Sequence, residues 1–256
     1  MSTLRHSLAA EILKGKSSFA FWLAFIGTSG VAVSLFLLAL SGGVDWDQSD
    51  NPWRAWVLFH YAGTDFMLLP LFVIIIASLV TYQEHRNQLW KHWYVSTVTR
   101  WHLYFSKLLY IILLFTASHL YFVGLLLLTG MLFGIIQPNT HLLTHLPDFI
   151  QLLLLATQTV TTILGMLALQ YWISYRFRSF IVALGFGVIG FVTASLAIDT
   201  PGSVLWHPYA YPLLYVQALS SDMASILPSG TLTWFSFGYF LLFLLLGYRN
   251  VRRMDA

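Results

Sequence analysis

Histidine is the residue type best suited to metal or haem binding here, because the chain has nine histidines and no cysteines. His141 and His145 are four positions apart, a spacing that can place two ligands on one helical face. Pro138 and Pro147 flank the pair, which indicates a loop instead. His119 lies inside an apolar run without a facing histidine to complete a haem site. The pattern favours loop polarity and packing, and a histidine-using membrane enzyme is the weakest alternative.

Two stretches match nucleotide-binding motifs as text, but neither has the required context. The Gly-Phe-Gly-Val-Ile-Gly sequence at 185–190 lies within an apolar run, whereas the dinucleotide fingerprint follows a strand and opens a helix. The Gly-Lys-Ser sequence at 15–17 would need another glycine at position 10, which is Ala10. We therefore predict no ATPase site and no cofactor, and we assign the glycines at 185–190 to close helix packing.

Ionisable residues within apolar runs would mark an ion pathway, because a charge at the bilayer centre costs about 2.5–3.5 kcal/mol even on a lenient scale. The nearest example is Asp65, close to the end of its run. This scarcity argues against a proton-coupled carrier and an intramembrane protease, so we predict no catalytic residue. A polar stripe at 149–174 leaves interhelical hydrogen bonding and a transport path both open. The stripe comprises Gln151, Thr157, Gln158, Thr159, Thr161, Thr162 and Gln170.

The composition is that of a membrane protein. Hydrophobic residues make up 58% of the 256 residues and charged residues 9%, against about 45–50% and about 25% in soluble domains. Because about 20 apolar residues of helix cross the hydrocarbon, we predict an all-α polytopic membrane protein with a single transmembrane domain, residues 1–256. The six predicted spans are Phe19–Leu40, His60–Tyr82, Tyr104–Ile136, Phe149–Ser174, Phe180–Ile198 and Thr231–Tyr248.

The basic residues predict the orientation of these spans. If the N- and C-termini are cytoplasmic, every lysine and arginine except Arg54 falls on the cytoplasmic side, as the positive-inside rule requires. Most acidic residues then fall on the opposite side. The net charge of +3 thus follows from topology, and we predict membrane lipids and not nucleic acid as its partner. The predicted location is the cell inner (plasma) membrane.

Two segments outside the spans have interfacial character. Residues 1–18 carry Leu4, Leu8, Ile12 and Leu13 largely on one helical face, which predicts an N-terminal helix on the inner leaflet. Residues 199–230 contain four prolines, which forbid one continuous helix. We predict that this second segment is an extracytoplasmic re-entrant or interfacial structure.

The largest predicted cytoplasmic loop, residues 83–103, mixes charged side chains with Trp90, Trp93, Tyr94 and Trp101. Such a segment can form a short amphipathic helix whose aromatic face needs cover. One interpretation is anchoring at the membrane surface. The other is docking to a cytoplasmic partner, with aromatic residues and arginines as anchors.

The chain resembles the permease subunits of ABC transporters of the type-2, exporter-like family. Glu11 and Lys14, in Leu-Ala-Ala-Glu-Ile-Leu-Lys before the first span, are similar to the family's Glu-x-x-Lys helix. The stretch from Glu84 to Lys91, followed by Thr-Arg at 99–100 and a lysine at 107, looks like the family's coupling segment. The six-span plan with both ends inside is the third shared feature.

The resemblance implies a transport subunit that binds a separate cytoplasmic ATPase and pairs with a second permease copy or a sister permease. It further implies export of an amphipathic or hydrophobic substrate such as a lipid, drug or peptide antibiotic. A non-ABC anchoring or assembly subunit of a larger complex is the alternative. The residues implied to contact the ATPase are Glu84, Arg86, Trp90, Lys91 and Arg100, and Lys107 is implied to anchor the third span at the inner headgroups.

Overall fold

The computed structural model describes residues 2–44, 51–64, 68–86, 99–177, 179–198, 204–220 and 229–253, and within these ranges the chain is helical without any strand. The all-α prediction is therefore confirmed. The α-helices are α1 Ser2–Lys16, α2 Phe19–Leu40, α3 Pro52–Gly63, α4 Leu69–Arg86, α5 Arg100–Ile136, α6 Phe149–Arg176, α7 Phe180–Ala197, α8 Tyr211–Ser220 and α9 Ser229–Arg253. Short 3₁₀ turns occupy Pro138–Thr140, Val204–Trp206 and Pro208–Ala210.

Side-chain caps fix the starts of three of these helices. Ser18 Oγ accepts from the Phe21 amide at the start of α2, and Asn51 Oδ1 accepts from the Trp53 amide at the start of α3. Asp148 Oδ1 accepts from two amides of the first turn of α6. Such caps satisfy backbone donors that have no partner within the helix, and they set where each helix begins.

Among the described residues, five helices are long and apolar enough to cross a membrane, which makes the chain a multi-pass membrane protein. They agree with five of the six predicted spans to within a few residues, apart from extensions at helix ends. Their ranges are Phe19–Leu40, Arg100–Ile136, Phe149–Arg176, Phe180–Ala197 and Gly230–Val251.

The predicted second span, His60–Tyr82, is described in two parts, because residues 65–67 lie outside the described residues. The two parts belong to α3, which ends at Gly63, and α4, which begins at Leu69. The apolar part of α4, Leu69–Gln83, is shorter than the other spans. The count of six crossings stays a prediction.

Contacts between aromatic rings show which helix termini lie together at one end of the bundle, which we call the basic end. There Tyr82 of α4 contacts Phe180 of α7 with ring centroids 5.8 Å apart. Trp101 at the start of α5 contacts Tyr248 near the end of α9 at 5.2 Å. The basic end is thus where α4, α6 and α9 finish and where α5 and α7 start. The structure places α1 there as well, through the contact between Glu11 and α5 that is described below.

The opposite end, the far end, is closed by α3 and by the loop between α5 and α6. Trp53 Nε1 of α3 donates to the carbonyl oxygens of Leu142 and His145 at 2.8 and 2.9 Å. Trp56 Nε1 donates to the Leu126 carbonyl of α5 at 3.0 Å. These buried indole hydrogen bonds hold α3 against the last turns of α5.

A close helix crossing joins α6 to α9 at Gly165 and Ser236. The Gly165 amide donates to Ser236 Oγ at 2.9 Å, and that hydroxyl donates back to carbonyl oxygens of Thr161 and Thr162. A Cβ at position 165 would lie 2.8 Å from the Ser236 carbonyl oxygen. The two backbones touch because neither residue has a bulky side chain.

The segment predicted as re-entrant or interfacial, 199–230, is described over residues 204–220 and, at the start of α9, 229–230. Tyr209, Tyr211 and Leu213 are all buried, so this part of the segment packs among the helices. Tyr209 lies against Gly190, where a Cβ would come within 2.7 Å of its ring. The assignment of close packing to the glycines at 185–190 therefore holds at Gly190. The depth of the segment in a bilayer stays a prediction.

Candidate coupling site at the basic end

The predicted coupling segment, 83–103, is described at its two ends. Residues 83–86 form the last turn of α4 and residues 99–103 lead into α5. Glu84 and Arg86 therefore lie at the basic end, on the backbone of α4. Trp90 and Lys91 lie outside the described residues, as do the other positions from 87 to 98.

Arg100 is the first residue of α5 and is half-buried. Thr99 precedes it in extended conformation as the N-cap residue, and its hydroxyl hydrogen-bonds to His102 Nδ1. This turn fixes the direction in which the chain leaves the coupling segment. The structure thus brings Arg100 to the same end of the bundle as Glu84 and Arg86, while their contacts with an ATPase stay a prediction.

A buried ion pair joins α1 to α5 at this end. Lys107 Nζ donates to Glu11 Oε2 at 2.7 Å, and the side chains are only 4% and 6% exposed. Lys14 Nζ, which is half-exposed, donates to the other carboxylate oxygen at 2.6 Å. Burial by itself would raise the pKa of Glu11, but the ammonium groups of Lys107 and Lys14 outweigh it and hold that pKa below its usual range.

Lys107 is thus enclosed in the protein. A lysine enclosed by α1 and α5 and paired with a carboxylate offers little surface to a headgroup. The contact that the structure shows is the pair with Glu11, and headgroup anchoring stays a prediction. The two positions are far apart in sequence, although each belongs to a motif that carried the family resemblance.

The N-terminal helix packs against α5 through a stripe of small and polar residues. Ser7, Glu11 and Gly15, spaced four apart, are buried against α5, whereas Leu13 is 68% exposed. Gly15 lies on the hydroxyl of Tyr110, where any side chain would collide with the phenol ring. A small and polar stripe thus packs against the protein, and Leu13 is left for a membrane surface. The interfacial position of residues 1–18 stays a prediction.

A group of tyrosines behind the ion pair connects α5 to α6 and α9. The Tyr104 ring lies 5.1 Å from Tyr171, 5.6 Å from Tyr175 and 6.3 Å from Tyr248. Tyr171 Oη also donates to the Tyr104 carbonyl at 2.9 Å. Gly247 of α9 faces the Tyr104 hydroxyl so closely that no Cβ would fit. Sequence reading missed this cluster, because its members are distributed over three spans and aromatic residues are common throughout the chain.

Gln170 on α6 is a second point where several elements meet. Its amide nitrogen donates to Ser78 Oγ of α4 at 2.9 Å and to the Ala183 carbonyl of α7 at 3.0 Å. Tyr209 Oη donates to its amide oxygen at 2.7 Å. These are interhelical hydrogen bonds, which is one of the two interpretations of the polar stripe. Gln158 behaves in the same way, since it accepts from Tyr215 Oη at 2.6 Å.

The histidines do not assemble a metal site within the described ranges, where no three His, Cys, Asp or Glu side chains come together. His145 Nδ1 hydrogen-bonds to the His141 carbonyl at 3.1 Å, so this pair orders its own loop. His60 Nδ1 hydrogen-bonds to the Trp56 carbonyl of α3 at 3.0 Å. Loop polarity and packing account for these three residues.

Comparison with known proteins decides the class of this helical bundle. A family model described as ABC-2 family transporter protein matches residues 7–194. The chain belongs to the ABC-2 transporter family. The match begins in α1 and ends in α7, so the ABC-2 region includes Glu11, the coupling segment and Lys107. Searches of curated proteins and of solved structures returned no match.

Membership of the ABC-2 family makes the chain a transport protein of the permease type. In this ABC-2 permease the two motif regions noted in the sequence, Glu11–Lys14 and the stretch up to Lys107, meet at one ion pair. The end of α4 and the start of α5 lie at the same end of the bundle. The basic end therefore brings the two motif regions together in space. In the sequence they were connected only through the family resemblance.

Proposed function

We propose that this chain is the permease subunit of an ATP-driven transporter that uses a separate ATPase to export an amphipathic or hydrophobic substrate. A lipid, a drug or a peptide antibiotic fits that class. The observation that carries the proposal is the ABC-2 match, because it spans both the N-terminal helix and residues 83–103. The substrate class, the direction and the ATPase are the proposed parts.

The ATPase would bind at the basic end. Glu84 and Arg86 at the end of α4 and Arg100 at the start of α5 flank residues 87–98, which include Trp90 and Lys91. Arginine and tryptophan are frequent energetic anchors of protein interfaces. This arrangement supports a docking segment presented between two membrane helices.

Movement of the ATPase would reach the spans through the start of α5. This helix has 37 residues and is therefore about 55 Å long at about 1.5 Å per residue. Its second turn is tied to α1 by Glu11 and Lys107, and Tyr104 packs it against α6 and α9. A shift of the coupling segment would then move these helices as one unit, as in rigid-body switching.

A second permease copy and the lipids of the inner membrane would cover the apolar flanks. On α7, Ile181, Ile189 and Leu196 are all more than 60% exposed. Patches of this kind on a bundle need lipid or another protein surface. A permease dimer in the inner membrane, with one ATPase beneath each copy, is consistent with them.

The docking proposal is tested by co-purification from native membranes. We expect the double variant Arg86→Glu with Trp90→Ala to lower the amount of bound ABC ATPase by more than about tenfold. Truncating an interface anchor commonly costs about 2 kcal/mol, and about 1.4 kcal/mol corresponds to tenfold. The measurement is the ratio of ATPase to permease after purification, with the ATPase identified by its phosphate-binding loop.

The matched control makes the same substitution types at the far end, Arg54→Glu with Trp206→Ala. Both side chains are exposed, so this variant should retain the wild-type ratio. Wild-type amounts of ATPase on the Arg86 and Trp90 variant would show that the contact assignment is wrong. The same loss in both variants would indicate a general effect on folding, which also contradicts the assignment.

A further inference from the structure

A cavity of about 270 Å³ lies midway along the bundle between α2, α4 and α5. Its walls are mostly apolar and include Val31 of α2, Phe72 and Ile75 of α4 and Phe122 of α5. It is separate from the coupling site, from Gln170 and from the tyrosine cluster. Apolar cavities with few polar groups are the usual form of small-molecule sites.

The hydroxyl groups in the wall are already used within their own helices. Thr28 donates to the Ala24 carbonyl at 2.6 Å, and Ser118 donates to the Phe115 carbonyl at 2.8 Å. A ligand would therefore find few hydrogen-bonding groups on these walls. Specificity has to come from another side chain.

His119 of α5 supplies that side chain. It lines the cavity, is 4% exposed, and its Nε2 has no hydrogen-bond partner among the described residues. Its ring stacks on Phe115 and Phe122 at about 6 Å between centroids, so it is held in place by α5 itself. Buried polar atoms normally have a partner, and one that lacks it calls for an explanation.

The cavity opens on the side of the bundle between α2 and α4. Gly27 and Thr28 of α2 and Phe72 of α4 are partly exposed there, and Leu68 is 38% exposed. A Cβ at Gly27 would be 3.9 Å from the Phe72 ring, so the two helices leave room between them. Molecules dissolved in the bilayer can enter by this route without passing through water.

We propose that this cavity binds an uncharged lipophilic molecule whose single hydroxyl group hydrogen-bonds to His119 Nε2. The described lining residues include no Lys, Arg, Asp or Glu, and a charged headgroup would lose its hydration without compensation. The apolar remainder of the molecule fills the space between Val31 and Phe72. Binding to this cavity requires no ATP, so the proposal does not depend on the proposed ATP-driven transport.

The test is photolabelling of the purified protein in nanodiscs with a diazirine derivative of 1-dodecanol. We expect saturable labelling of peptides from α2, α4 and α5 that unlabelled 1-dodecanol displaces. His119→Phe keeps the ring but removes the hydrogen bond, and it should weaken binding by about tenfold. His141→Phe, at an exposed loop position, should bind as the wild type does.

A second pair of variants tests the volume independently of His119. Gly27→Leu should fill the cavity and lower labelling by more than about tenfold, whereas Gly30→Leu adds the same side chain where nothing lies within 4 Å and should change little. If Gly27→Leu lowers the yield of folded protein, Val31→Phe replaces it. Labelling that does not saturate, or that is equal in the filled and control variants, overturns the proposal, as does wild-type affinity in His119→Phe.

Discussion

Replacing Glu11 with glutamine is expected to destabilise the protein by about 3 kcal/mol, because the Lys107 ammonium would then be buried without its carboxylate. The two charged atoms are 2.7 Å apart and both side chains are almost fully enclosed. The free energy of unfolding, measured in a mild detergent, should fall accordingly. Removing the second charge as well, with Lys107→Met, should recover part of the loss.

The pH dependence gives this prediction a second readout. Because the pKa of Glu11 is lower in the folded protein, its contribution is present above the unfolded value of about 4.5 and is lost as the pH falls through the folded value. The Glu11→Gln variant should lack that step. Lys16→Met, at an exposed position, is the control and should have little effect. Equal stability of Glu11→Gln and the wild type would show that the pair does not hold α1 to α5.

Gly165→Leu is expected to have a comparable effect at the crossing of α6 and α9, with a loss of about 3 kcal/mol. The atom that a new Cβ would meet is a backbone oxygen of Ser236 at 2.8 Å, and backbone cannot rotate away as a side chain would. The larger residue must therefore push α9 from α6 and break the hydrogen bond between Gly165 and Ser236.

Gly185→Leu and Gly238→Leu are matched controls, because a Cβ at either position meets nothing within 4 Å. Thermal unfolding of the three variants in the same detergent separates steric exclusion at the crossing from the general cost or gain of replacing glycine in a helix. If Gly165→Leu unfolded at the same temperature as Gly185→Leu, the close approach of α6 and α9 would be refuted.

The long spans could be predicted from sequence because each is a long apolar run, and the bilayer sets the length that such a helix needs. The predicted and observed limits agree fully for Phe19–Leu40. The second span stays untested as a single helix, because residues 65–67 lie outside the described residues.

The candidate site was less predictable, because its geometry depends on contacts between distant positions. The spacing of Glu11 and Lys14 could be read directly from the sequence. The ion pair between Glu11 and Lys107, however, joins residues that are 96 positions apart. No periodicity within one helix indicates such a partner. Likewise, the polar stripe of α6 left interhelical hydrogen bonding and a transport path both open, and it did not indicate that Tyr209 would donate to Gln170.

The contacts at the basic end are those through which an ATPase would move the spans in the transport proposal. An ATPase bound to residues 83–103 would act on helices that are already joined by the Glu11–Lys107 pair and the Tyr104 cluster. All of this requires that the basic end faces the cytoplasm, where ATP is present. The distribution of lysine and arginine predicts that orientation.

Cysteine labelling in intact cells tests this orientation most directly, since the chain has no cysteine of its own. Single variants Lys91→Cys, in the coupling segment, and Asn139→Cys, at an exposed position of the far end, are treated with a membrane-impermeant maleimide. We predict labelling of Asn139→Cys in intact cells and labelling of Lys91→Cys only after the cells are permeabilised. Labelling of Lys91→Cys in intact cells would place the coupling segment outside and contradict the proposed function.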